Sequence, residues 1–255
     1  MIAWREKFRA VSVHFVVTLA MSLIAAALIF LVWYPDPFHA MLGGSKFFLL
    51  VSGCDLVLGP LTSLIVYNSK KTRRALVFDY TVIGIVQLAA FVYGVMSMAD
   101  ARPAYVAFVK DQFEVVLAVE IADADLKDAK DPYRSRPQWG PVVVGTQRPT
   151  DREELNKLMF AAMEGKDRQN FPRYYVPIEA NADEIKQAAH PLELLERDRP
   201  ESRPLLAKAL KKLNLPKERL RFLTVKHPRG FWTALVDADT GRPLYYLPVD
   251  SFGIK

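Results

Sequence analysis

From Phe47 to Tyr67 the chain runs for 21 mostly apolar residues with a single charged side chain. At 1.5 Å of rise per residue, a helix of that length crosses a hydrocarbon core of about 30 Å. One residue breaks the pattern. Asp55 places a carboxyl inside the span, at a cost of at least about 2.5 kcal/mol on insertion scales. Such groups persist where they face a protein interior, a partner or a water pocket. Gly59 and Pro60 follow closely. Proline has no N–H, so the carbonyl of Leu56 loses its helical partner. A kink is expected there, with a neighbouring helix close by.

Two further apolar runs, at about 11–34 and 77–98, make a region of three spans within residues 1–98. Residues 99–255 read as an ordinary folded sequence. The formal net charge of +6 invites a nucleic-acid reading, but its distribution opposes one. Eight basic residues and four acids lie in 1–98, so +4 of the total belongs to the span region. Arg5, Lys7 and Arg9 precede the first span, with Trp4 as an interface anchor. Lys70, Lys71, Arg73 and Arg74 lie between the second and third. This is the bias of cytoplasmic loops, so no nucleic-acid partner is expected. The N-terminus is placed inside and the C-terminal domain outside. The first apolar run is too long for the h-region of a signal peptide and is read as an uncleaved anchor. Trp33 and Tyr34 mark its outer boundary as belt residues, and Pro35 and Pro37 end it.

Depth arithmetic pairs two polar residues. Asp55 lies about 12 Å below the outer face and Gln87 about 15 Å from the inner one. In a core of about 30 Å they share a level, and they are expected to face each other. His14, Thr18, Ser22 and Ala26 recur every four residues, a row of small and polar groups suited to close helix packing. Asp79, beside the basic loop, is read as half of a surface ion pair.

Beyond the spans, Ala104–Val109 and Glu114–Ile121 read as a β-hairpin. Residues 122–150 are rich in proline and charge and read as loop, with a short strand at 141–145. Thr150 and Glu153 have the spacing of a capping box for a helix reaching Glu164. Tyr174–Ile178 reads as a strand, and 183–189 and 204–213 as helices packed on a sheet. The β runs 220–226, 231–236 and 243–247 form an antiparallel meander whose turns use Gly230 and Gly241. The fold class is a membrane α-helical bundle plus an α+β domain with an antiparallel sheet.

No nucleophile, P-loop, HExxH or CxxC pattern is present, and Cys54 is the sole cysteine. The acids at 123, 125, 128 and 131 lack calcium-loop spacing, and the Asp237/Asp239 pair fits a turn. No catalytic residue, metal or cofactor is expected. One enzymatic alternative is an intramembrane protease with Asp55 and Asp79 as paired carboxyls. Helix rise opposes it, separating the two on the order of 20 Å in depth.

Several motifs carry a resemblance: Val32-Trp33-Tyr34-Pro35-x-Pro37, Asp55-Leu56-x-Leu58-Gly59-Pro60-Leu61-Thr62, the 70–74 basic loop with Asp79, Gln87-Leu88-Ala89-x-x-x-Tyr93-Gly94 and Ala101-Arg102-Pro103. In this order and spacing, over about residues 11–120, the chain resembles the TfpX/TfpZ family of type IV pilin accessory proteins. The resemblance implies a non-enzymatic protein of the bacterial inner membrane with a periplasmic C-terminal domain. It would serve one cognate pilin as chaperone or modulator of assembly, and touch the assembly machinery and membrane lipid. On that reading Asp55, Gly59, Pro60 and Gln87 form the face that binds the pilin membrane helix. The other class of function is a membrane-tethered periplasmic sensor or scaffold.

Overall fold

The computed structural model describes residues 2–68 and 71–254. The Trp4 side chain and Lys70, both given interface roles above, lie outside the described residues. The chain divides into two units, 1–101 and 102–255.

The first unit holds three helices long and apolar enough to cross a membrane. The first, α1 (Ile2–Ala27), starts well before the apolar run and continues as a π-helical turn, Leu28–Trp33. A short helix, α2 (Phe38–Met41), occupies the connection and buries Phe38 and Met41. Gly43 then takes a positive φ of 74°, open to glycine at little cost, and α3 (Gly44–Val66) begins. Helix α3 runs unbroken through Pro60, and the Thr62 hydroxyl donates to the Gly59 carbonyl at 2.8 Å. The third, α4 (Arg73–Asp100), is capped by the Thr72 hydroxyl, which accepts from the Ala75 N–H. Helix α3 packs on both α1 and α4, and α4 meets the first span at its π-helical end. There Ile29, Tyr34, Phe48, Phe91 and Met98 form a buried cluster.

The second unit is built on one sheet. Its strands are β1 (Pro103–Val109), β2 (Gln112–Leu117), β3 (Val142–Thr146), β4 (Tyr175–Pro177), β5 (His190–Pro191), β6 (Leu220–His227), β7 (Gly230–Asp237) and β8 (Pro243–Leu247). Their order is β4-β3-β1-β2-β6-β7-β8, with β5 pairing a different stretch of β6. The expected hairpin and the expected meander both form, and Gly230 and Gly241 take positive φ at its turns. The wholly antiparallel sheet does not: β1 pairs β3 in parallel, and β2 pairs β6 in parallel. The sheet is mixed. Both parallel joins link strands far apart in sequence, where no turn sets direction and packing decides. All seven residues of β1 are buried, as in a strand covered on both faces.

Among the described residues the unit also has the α-helices α5 (Asp123–Lys127), α6 (Arg152–Met163), α7 (Ala182–Ala188), α8 (Leu192–Asp198) and α9 (Ser202–Leu213), with short 3₁₀ turns between elements. Helix α5 lies within the stretch read as loop, and α8 was not foreseen. The cap of α6 falls one residue later than expected, with the Asp151 carboxylate accepting from the Glu154 N–H at 3.0 Å. Helices α8 and α9 bury Leu192, Leu195, Leu206 and Ala209 against β6–β8. Helix α6 buries no residue at all. Asp237 is a turn residue, its Oδ1 accepting from the Asp239 and Thr240 N–H groups.

Candidate functional site

Asp55 is the middle residue of α3, with 11 residues before it and 11 after it in the 23-residue helix. In a bilayer crossed by this helix, that position would set its carboxyl at the centre. It opens into a cleft of about 210 Å³ in which all three long helices take part. His14 and Thr18 of α1, and Gly84, Gln87 and Phe91 of α4, line the same space. The structure thus brings Asp55 and Gln87 to one cavity, as the depth arithmetic expects. It adds His14, which the sequence reading placed in a helix-packing row and not beside the acid.

The reason lies one turn along α3. Gly59 is buried, and a Cβ built on it would fall 2.8 Å from His14 Nε2 and 3.3 Å from Gln87 Nε2. The missing side chain makes the room in which a histidine from α1 and an amide from α4 approach the same point. His14 is fixed by its other nitrogen, which lies 2.6 Å from Ser63 Oγ. Ser63 is fully buried, and its carbonyl accepts from the Tyr80 hydroxyl of α4 at 3.2 Å. The His14 row had a readable signal: at a four-residue spacing it faces one way, toward the helix that carries the acid.

The Asp55 carboxyl makes no hydrogen bond among the described residues. Most other lining groups are apolar. The cleft therefore sets one carboxyl, with His14, Thr18 and Gln87 beside it, in a wall otherwise made of Val17, Met21, Leu88 and Phe91. Pro60 adjoins Gly59 and is half-buried, and its missing N–H leaves the backbone one turn back short of a helical donor.

The remaining residues lie elsewhere. Trp33 is half-buried. Tyr34, read as a belt residue, is only 3% exposed, and its hydroxyl donates to the Met98 carbonyl at 3.0 Å. Lys71 is exposed before the Thr72 cap, and Arg73 and Arg74 are exposed in the first turn of α4. Asp79 pairs with Lys71 Nζ at 2.7 Å and takes no part in lining the cleft. Among the described residues no cluster of histidine, cysteine or acid side chains is arranged to hold a metal.

These features define a class: three helices long and apolar enough to cross a membrane, with a largely apolar cleft among them that holds one carboxyl, and a second, mixed-sheet unit. Comparison with known proteins gives the family. Residues 2–43 match the family described as Fimbrial assembly protein FimB. The fimbrial assembly protein of serogroup E1 from Dichelobacter nodosus is 30% identical over 227 residues, 88% of this chain and 88% of that protein. That of serogroup I is 32% identical over 180 residues, 71% of this chain and 70% of the relative. That of serogroups C1 and C2 is 36% identical over 117 residues, 46% of this chain and 89% of the relative. No solved structure matches the chain. The chain belongs to the family of fimbrial assembly proteins.

Proposed function

We propose that this protein is a non-enzymatic accessory factor for type IV pili, of the TfpX/TfpZ kind. It resides in the bacterial inner membrane with its N-terminus in the cytoplasm and its mixed-sheet unit in the periplasm. It acts on its cognate pilin as a chaperone or modulator of assembly, alongside the assembly machinery and bilayer lipid. The names of its relatives support a role in fimbrial assembly. The observation that carries the mechanism is the Asp55 carboxyl, central in α3 and without a hydrogen-bond partner among the described residues. A pilin subunit waits in the bilayer as one apolar helix with a globular head outside. Its helix enters the cleft between α1 and α4, where Asp55 takes a donor from it and Gln87 lies alongside.

The test is co-purification with pilin from intact membranes. Asp55→Ala removes the proposed hydrogen bond to the pilin helix and lowers recovery of pilin about 3- to 30-fold at unchanged protein level. Gly84 lines the cleft, and a Cβ there meets no atom within 4 Å. Gly84→Leu fills the cleft without disturbing the helices and produces the same loss. Full recovery of pilin with both variants would sink docking at this site.

The alternative, a membrane-tethered periplasmic sensor or scaffold, requires a ligand pocket in the second unit. Cavities beside Arg148 keep that reading in play. A small molecule retained by the purified protein would favour it. An aspartyl protease would need a second carboxyl facing Asp55. Asp79, the candidate, is held by Lys71.

A further inference from the structure

Charged side chains away from water are ordinarily paired, because an unpaired charge loses its hydration and gains nothing. Arg168 departs from this rule. It sits in a 3₁₀ turn, Arg168–Asn170, half-buried, and its guanidinium makes no hydrogen bond or ion pair among the described residues. Its Nε is fully enclosed. Burial and the nearby Arg148 both push its pKa below the usual arginine range, with Asp167 and Glu184 opposing. Arg148 comes from the loop after β3, is exposed, and likewise has no partner among the described residues.

Both arginines line one cavity of about 550 Å³, together with Lys110, Asn181 and Glu184. Lys110 occupies the first position of the two-residue β1–β2 turn at φ +60°, a conformation that favours glycine. The lining thus carries three cations from three separate segments against one acid. The carboxylate of Glu184 is already engaged, accepting from Asn181 Nδ2 at 3.0 Å. Lys110 is paired with Asp167 at 3.3 Å, so the two arginines are the free cations here among the described residues.

We propose that the cavity at Arg148 and Arg168 is an oxyanion-binding site, taking a carboxylate or phosphate group in the fork of the two guanidiniums. A planar guanidinium presents paired N–H donors matched to two oxygens of one anion. A guest anion removes the repulsion between two unpaired like charges and supplies the donors with acceptors. The site lies wholly in the second unit and stands independently of docking at Asp55.

The experiment is calorimetric titration of the full-length protein in detergent micelles with sodium phosphate and, separately, with succinate, at constant ionic strength. Saturable binding is expected. Arg148→Gln and Arg168→Gln each weaken it about tenfold. Arg168→Lys weakens it too, because an ammonium lacks the fork, while Lys211→Gln on α9 leaves it unchanged. Binding of phosphate alone assigns a phosphorylated ligand, and binding of succinate assigns a carboxylate. The proposal is overturned if neither probe saturates, or if the arginine variants bind as Lys211→Gln does. Arg148 is exposed, so its variant decides the matter even should Arg168→Gln fail to fold.

Discussion

His14 Nδ1 and Ser63 Oγ, 49 residues apart in sequence, lie 2.6 Å apart and join α1 to α3 just beyond the cleft. With Ser63 fully buried, no water stands ready to replace the histidine. His14→Leu therefore leaves a buried hydroxyl unmatched and destabilises the helices by about 1–2 kcal/mol. The His14→Leu/Ser63→Ala double variant costs less than the sum of the single changes, because both remove one interaction. Unfolding of the detergent-solubilised variants measures the coupling, and strict additivity would contradict the bond.

Gly59 and Gly53 lie on the same helix and make opposite predictions. A Cβ at Gly59 meets His14 Nε2 at 2.8 Å, whereas a Cβ at Gly53 meets nothing within 4 Å. Gly59→Ala overpacks the point where α1, α3 and α4 converge and costs about 1–3 kcal/mol. Gly53→Ala is neutral or slightly stabilising, since alanine is the better helix former. The two midpoints of thermal unfolding, measured side by side, decide it.

His227 gives the second unit an acid-side weakness. It is buried against Trp232, and its Nδ1 accepts from the Arg229 N–H. Burial first, and then the charge of Arg229, push the imidazole below its ordinary value. The unfolded chain therefore binds a proton more readily than the folded one below about pH 6.5, and stability falls as pH drops through that range. His227→Leu removes this dependence. Its stability relative to wild type should improve steadily from pH 7 to pH 5, and a constant difference would refute the assignment.

Helix α6 and helix α7 should respond differently to loss of an apolar side chain. Met159 and Phe160 of α6 are 58% and 63% exposed, while Ile185 of α7 is fully buried. Replacing either α6 residue by Gln shifts stability by no more than about 0.5 kcal/mol. Ile185→Ala leaves a cavity and costs about 2–5 kcal/mol. Chemical denaturation of the three variants tests both halves.

Much of this was legible in advance. Asp55 and Gln87 reach one cavity because helix rise is fixed, so sequence position converts to depth. The β6–β7–β8 meander was readable because its turns are short and its glycines stand where positive φ is needed. His14 was undervalued because depth arithmetic counts distance along a helix and not the side it faces. Tyr34 reads as a belt residue from two aromatics before a proline, and its burial and its hydroxyl bond to Met98 depend on α4, which sequence position does not bring beside it. The cap of α6 was misplaced by one residue because Thr150 and Asp151 are both competent caps. The two arginines were unreadable as a pair, being 20 residues apart in segments with no shared pattern.

By itself the sequence determined what depends on local chemistry and one-dimensional distance. That covers three long apolar runs, the basic flanks, the hairpin and meander, and an acid in the middle of the second run. Only the tertiary structure decided which strands run parallel, which side of α1 meets Asp55, and that Arg148 and Arg168 share a cavity without partners among the described residues. Those outcomes depend on how distant segments pack, and packing energy belongs to pairs of surfaces that the order of residues does not bring together.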